Sequence, residues 1–140
     1  MMSTIGRLDK DTSRLLLITD DGELLHKIIG PKNHVKKVYL VDVAAPLTKN
    51  AVDIFASGAL MLRGDIKPLA SAELKIIGSK RALITITEGR YHQVRRMFAA
   101  IGNRVVRLHR TQIGALKLPD TLDQGSWKIL ATSDVTLVFD

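Results

Sequence analysis

Apolar positions recur along this chain at two different periods. The clearest helical stripe is Val94, Met97, Phe98 and Ile101, spaced i, i+3, i+4 and i+7. Gly102-Asn103 follows, and both residue types tolerate the left-handed conformation that ends a helix. Val105, Val106 and Leu108 come next. They alternate poorly, but they are apolar and partly β-branched, which predicts a strand. Upstream, the apolar run 15–19 predicts a buried strand, Asp20-Asp21-Gly22 a turn or helix entry, and 23–29 a short helix stopped by Gly30-Pro31. VYLVDV at 38–43 predicts another strand. Thr48 can cap a helix running to about Ser57, with Gly58 as its stop. Two strands at 74–77 and 82–87 are joined by Gly78-Ser79-Lys80-Arg81, a hairpin signal. A polar loop at 119–125 leads to short strands at 127–130 and 135–139. The sum is an α+β domain with a mixed, mainly antiparallel sheet and short helices.

The totals narrow the partners. A chain of 140 residues makes about one domain, and an apolar content of 46% with 25% charged residues is globular. Cysteine is absent, and the four histidines show no metal-ligand spacing, so neither a disulfide nor a metal is expected. No apolar run approaches a membrane span, and the first residues lack a hydrophobic signal region. A cytoplasmic chain with no membrane partner is therefore expected. The net charge is +7 and the pI is near 9.9, which suggests a polyanion, most often nucleic acid.

That charge is concentrated. From Gly89 to Pro119 there is no acidic residue, while Arg90, Arg95, Arg96, Arg104, Arg107 and Arg110 lie there with His92 and His109. Arginine suits bidentate phosphate contact and stacking on bases. An amphipathic helix whose arginine face is merely solvated is the plainer reading of such a run. The missing acids and the scarcity of lysine weaken it. Arg63-Gly64-Asp65 reads as a turn. Gly6-Arg7-Leu8-Asp9 sets a carboxylate beside a cation in a predicted loop. Such an aspartate stays ionised and could act as a nucleophile, although spacing alone favours a surface pair or turn residue. Tyr39 is either a core aromatic or a platform on which a base can stack.

Two separated stretches point the same way. GRLDKDTSRLLLITDDG (6–22) resembles the catalytic-loop signature of the pseudouridine synthases that modify ribosomal RNA. EGRYHQVRRMFAAIGN (88–103), followed by RVVRLHRTQIGALKL (104–118), resembles that family's other conserved block. KKVYLV (36–41) matches as well, and KPLASAELKII (67–77) more loosely. The wording YHQV and LHR is most similar to the A branch, which acts on the small ribosomal subunit. The resemblance runs over nearly the whole chain.

It implies the family's catalytic fold and the isomerisation of a specific uridine in ribosomal RNA without a cofactor. The implied partner is ribosomal RNA or a ribosomal assembly particle. By the same resemblance Asp9 is the nucleophile, Arg95 the basic residue that pairs with it, Tyr39 the aromatic that stacks on the flipped uracil, and Leu108 the apolar residue on its other side. Arg7, Arg90, Arg96 and Arg110 are implied for RNA binding through phosphate contact or for shaping the motif, and His92 and Gln93 are implied RNA contacts beside them. Two departures accompany the match. Arg14 stands where the signature normally has Gly, and the chain is expected to lack the S4-type RNA-binding domain and the first part of the catalytic domain. A missing strand would open a sheet edge to self-association. The alternative reading is a catalytically inactive RNA-binding remnant, or a fragment that pairs with another chain.

Overall fold

A computed structural model describes residues 3–5, 12–14, 17–19, 35–90, 92–114 and 116–117. In chain order its strands are β1 (Ser3–Ile5), β2 (Thr12–Arg14), β3 (Leu17–Thr19), β4 (Lys37–Val43), β5 (Glu73–Gly78), β6 (Arg81–Ile86), β7 (Val105–Ile113) and β8 (Leu116–Lys117). Two helices, α1 (Lys49–Ala56) and α2 (Gln93–Ala100), complete the described elements.

Strict alternation builds the middle of the sheet. In β4, Tyr39, Val41 and Val43 are buried and the residues between them are partly exposed. In β6, Ala82, Ile84 and Ile86 repeat the pattern. The two strands pair antiparallel, with Val41 opposite Ala82 and Tyr39 opposite Ile84, so their buried faces coincide. The hairpin through Ser79-Lys80 adds β5, as its sequence predicts. On the other side of β4 lies β7, also antiparallel. Beyond β7 come β2, which runs parallel to it, and β8, which turns back antiparallel. The order is β2-β7-β4-β6-β5, and β1 and β3 form a separate antiparallel pair. The sheet is thus mixed and mainly antiparallel, as expected. Among the described residues the sheet ends at β2 and β8 on one side and at β5 on the other, where Ile76 and Ile77 are exposed.

Strand β7 departs from alternation. Its buried residues are Val105, Leu108, Arg110 and Ile113, spaced three, two and three apart. The pairing explains this. Asp42 faces Arg107 while Val43 faces Val105, so Val106 is extra; Val38 faces Gln112 while Tyr39 faces Arg110, so Thr111 is extra. Each extra residue is a bulge that shifts the inward frame by one. This is why the apolar residues after Gly102 alternate poorly in the sequence, and why the strand runs well past Leu108.

Both helices pack on the buried face. Helix α1 contributes Ala51 and Phe55, α2 contributes Val94, Met97 and Phe98, and the segment between α1 and β5 adds Leu62, Leu69 and Ala72. Phe55 and Phe98 meet edge to face, with ring centroids 5.1 Å apart at 89°. The expected stops hold. Gly58 has φ +67° and Gly102 φ +79°. At the second, Asn103 N–H donates to Phe98 O (2.9 Å) and Gly102 N–H to Ala99 O (3.0 Å), the paired bonds of a glycine-terminated helix. The Asn103 amide also ties this end to Ala45, accepting from its N–H at 3.0 Å and donating to its carbonyl at 3.1 Å. Thr48 precedes α1, but its side chain makes no capping bond. The run 15–19 is strand over Leu17–Thr19. The turn at 20–22, the helix expected at 23–29, the loop at 119–125 and the strands expected at 127–130 and 135–139 lie outside the described residues. Among the described residues no helix is long and apolar enough to cross a membrane.

Phe98→Ala removes a fully buried ring from the helix–sheet contact, so we expect a loss of about 3–5 kcal/mol in urea unfolding. At Gly102 an added Cβ meets nothing within 4 Å, so Gly102→Ala should cost only the left-handed backbone penalty, about 1–2 kcal/mol, in the same assay.

Candidate active site

The β4–β7 register brings Tyr39 and Leu108 together. Tyr39 is opposite Arg110 and Val41 is opposite Leu108, which makes Tyr39 and Leu108 diagonal neighbours on one sheet face. Both are buried, at 8% and 2% exposure. Helix α2 packs Val94, Met97 and Phe98 on the same face, and half-buried Arg95 follows Val94 at the border of that stripe. Asp9 and Arg7 lie outside the described residues. Thr12, three positions after Asp9 in the sequence, pairs with Leu108. Arg14, in the signature's Gly position, is a strand residue opposite Arg110.

Of the two roles implied for Arg110, phosphate contact or shaping the motif, its 1% exposure fits only the second. The bulge at Thr111 turns it to the inner face, opposite Tyr39, so it belongs to the wall of the site. Lys37 stands two positions before Tyr39 on the same strand. Burial, and then the charge of Arg110, pulls its ammonium below the ordinary lysine range. Sequence reasoning passed over Lys37. The signal was present, since Lys37, Tyr39, Val41 and Val43 occupy one set of alternating positions and a lysine in line with core residues is unusual.

Arg90 and Arg96 carry the same pair of implied roles, phosphate contact or shaping the motif. Arg90 pairs with Glu88 at 2.8 Å and with Asp65 at 3.1 Å, and donates to the carbonyls of Lys67 and Pro68 at 2.8 Å each. Arg96 reaches the other Asp65 oxygen at 2.8 Å and the Arg63 carbonyl at 3.1 Å. Glu88 accepts the Ala70 N–H at 2.7 Å. The two guanidiniums therefore hold the 63–70 segment, which fits the shaping role. The turn reading of Arg63-Gly64-Asp65 stands, with Gly64 at φ +86° and Asp65 N–H donating to Leu62 O at 3.0 Å. The carboxylate's task had no local signal, because its partners lie 25 and 31 positions away.

Gln93 is 5% exposed and is likewise a structural group. Its Oε1 accepts the Arg90 N–H at 3.1 Å while its own N–H donates to Arg90 O at 3.1 Å, a reciprocal lock at the start of α2. Between them His92 is left-handed at φ 45° and ψ 38°, a conformation that costs a non-glycine residue energy. Its backbone sharpens the entry into α2, and its side chain is half-buried.

The hydrogen bond from Arg96, seconded by that from Arg90, holds the Asp65 carboxyl below its ordinary range despite partial burial. A depressed carboxylate stabilises the fold above its unfolded pKa, and that stabilisation is lost as pH falls through the folded value. We therefore expect Asp65→Asn to melt below wild type at pH 6. The gap in Tm should close as pH falls below about 4.

Comparison with known proteins completes the description of the site. The family model described as RNA pseudouridylate synthase matches residues 1–100. The chain is 46% identical over 134 residues to ribosomal small subunit pseudouridine synthase A of Haemophilus influenzae, covering 96% of this chain and 57% of that protein. It is 45% identical over 134 residues to the protein of the same name from Pasteurella multocida, with 96% and 57% covered. A crystal structure of pseudouridylate synthase superposes with a TM-score of 0.94 at 45% identity, covering 98% of this chain and 59% of that one. The chain thus spans a little over half the length of these relatives. With a family model matched over most of its length and a solved member of the same fold, the chain belongs to the RNA pseudouridylate synthase family.

Proposed function

We propose that this protein isomerises a uridine of ribosomal RNA, in the small subunit, to pseudouridine in the cytoplasm, with Asp9 as nucleophile. The observation that carries the reading is the adjacency of Tyr39 and Leu108 on one face, with the strand that follows Asp9 paired to Leu108 itself. An aromatic and an aliphatic group side by side suit the two faces of a base taken out of its stack. Three supports accompany it: the match to a family of RNA pseudouridylate synthases, relatives named for the ribosomal small subunit, and the basic segment beside Tyr39 and Leu108.

The reaction breaks the N1–C1′ bond, turns the uracil and joins C5 to C1′. One proton leaves C5 and one is gained at N1, so atoms balance without a cofactor. The Asp9 carboxylate serves as the transient covalent partner, and half-buried Arg95 as the cation that keeps it ionised. Partly exposed Lys37 adds a positive charge at the Tyr39 end of the face, suited to the phosphate of the bound nucleotide, with Arg110 buried behind it. Arg104 and Arg107 are exposed and provide further phosphate contacts, with Arg7 and His92. Self-association through a sheet edge would use one of the end strands of the described sheet, such as β5 with its exposed Ile76 and Ile77.

Mapping pseudouridine on unmodified small-subunit ribosomal RNA tests the reading. Asp9→Asn should lower product formation by more than about 10³-fold with unchanged unfolding. Full activity in that variant would sink the proposal. RNA binding without product from wild type would favour the inactive remnant, which Arg14 at the signature's Gly position otherwise supports.

Lys37→Met makes a second test. A lysine with a lowered folded-state pKa opposes folding wherever it is charged in both states, and the penalty fades only as pH rises through that pKa. At pH 7 the variant should therefore have a higher urea midpoint than wild type. Its kcat/KM should fall about tenfold through the lost charged contact. A more stable variant with full activity would remove Lys37 from the site.

A further inference from the structure

The segment 63–68 combines two properties that seldom occur together. Its tip carries Ile66 at 91% exposure, against 56% for Val106 and 50% for Met61, the next most exposed large apolar residues described. Single exposed apolar residues are common and ordinarily call for no explanation. Here, however, the backbone beneath the side chain is fixed from several sides. Leu62 and Leu69 anchor its two ends in the core, and Leu69 N–H closes the base of the loop on Leu60 O at 2.8 Å. Arg96 holds the Arg63 carbonyl, Arg90 holds those of Lys67 and Pro68, and both hold Asp65. The side chain is therefore presented on a preorganised support, which lowers the entropic cost of using it in binding.

Its surroundings identify the chemistry of the partner. Arg63 and Lys67 flank Ile66 and are both exposed. An open depression of about 420 Å³ beside the tip is lined by Gly64, Asp65, Ile66, Lys67, Arg90 and Arg96. An apolar tip between cations matches a polymer with negative charges on its backbone and flat apolar faces within reach. An RNA strand with an accessible base has that character, and aliphatic side chains are known wedges against base steps.

We infer that residues 63–68 form a rigid finger that contacts the RNA outside the uracil pocket. Ile66 packs on a base, and Arg63 and Lys67 take the neighbouring phosphates. This rests on the reading that the substrate is RNA. It assigns the arginine clamp a purpose: Arg90 and Arg96 serve RNA binding through the loop they hold.

The test uses the full chain and unmodified small-subunit ribosomal RNA, with affinity measured across a salt series and pseudouridine formation measured alongside. Ile66→Ser should bind about tenfold more weakly with an unchanged salt slope, because the lost contact is apolar. Lys67→Ala should reduce the slope by about one, the signature of one phosphate contact. Ile66→Phe should bind at least as tightly as wild type, since a ring stacks on any base. An Ile66→Ser variant with wild-type affinity and KM overturns the inference. So does one that keeps its RNA affinity but sediments as a smaller species than wild type, since the tip would then be a protein contact. The two readings fail separately. RNA binding that depends on Ile66 without any Asp9-dependent product refutes the reaction and leaves the finger standing, whereas product with no dependence on Ile66 does the reverse.

Discussion

The site depends on one constraint, the frame of β7. A strand with strict alternation cannot turn Val105, Leu108, Arg110 and Ile113 to the same side. The bulges at Val106 and Thr111 make it possible, and they place Leu108 beside Tyr39 and Arg110 across from it. Removing either extra residue would flip part of the strand, sending an aliphatic wall into solvent or a guanidinium away from the tyrosine. The same strand pairs with β4 along one edge and with β2 and β8 along the other. Its register thus sets the places of Tyr39, Leu108 and β2, three positions after Asp9 in the sequence, at once.

The arginine-rich segment is not one surface. Burial and pairing divide it into groups with different tasks. Arg90 and Arg96 are tied to acids and carbonyls of a distant loop, Arg110 is enclosed in the sheet's inner layer, Arg95 borders the packed face, and Arg104 and Arg107 face outward. The absence of acids between Gly89 and Pro119 is a fact of the sequence. In space, Asp65 arrives from outside the segment to neutralise part of it.

Much of the fold follows local rules and was legible in the sequence. The α2 stripe, its Gly102 stop, the Ser79-Lys80 hairpin and the strand at 38–43 all read correctly, because each rests on neighbours within a few positions. What escaped depends on partners far along the chain. The inward turn of Arg110 is decided by pairing with β4, the burial of Gln93 by the Arg90 backbone it locks, and the task of Asp65 by two arginines on a later helix. Tyr39 and Leu108 were singled out from family wording, and the strand register then brought them side by side. Lys37 shows the opposite case, a residue whose own alternation marked it and whose meaning needed the neighbouring strand.

The parallel pairing of β2 with β7 has a consequence for how the molecule is made. Thr12 meets Leu108, a residue 96 positions later in the chain. During translation β2 leaves the ribosome long before β7, the strand it must join. Strands of such separation close late and slowly. The hairpin of β5 and β6 can form from a short stretch of chain, whereas the segment following Asp9 has to wait for β7. A chain still short of β7 therefore holds Tyr39 and the arginines of α2 without Leu108, Arg110 or a docked β2, and the two sides of the sheet face meet only when β7 arrives.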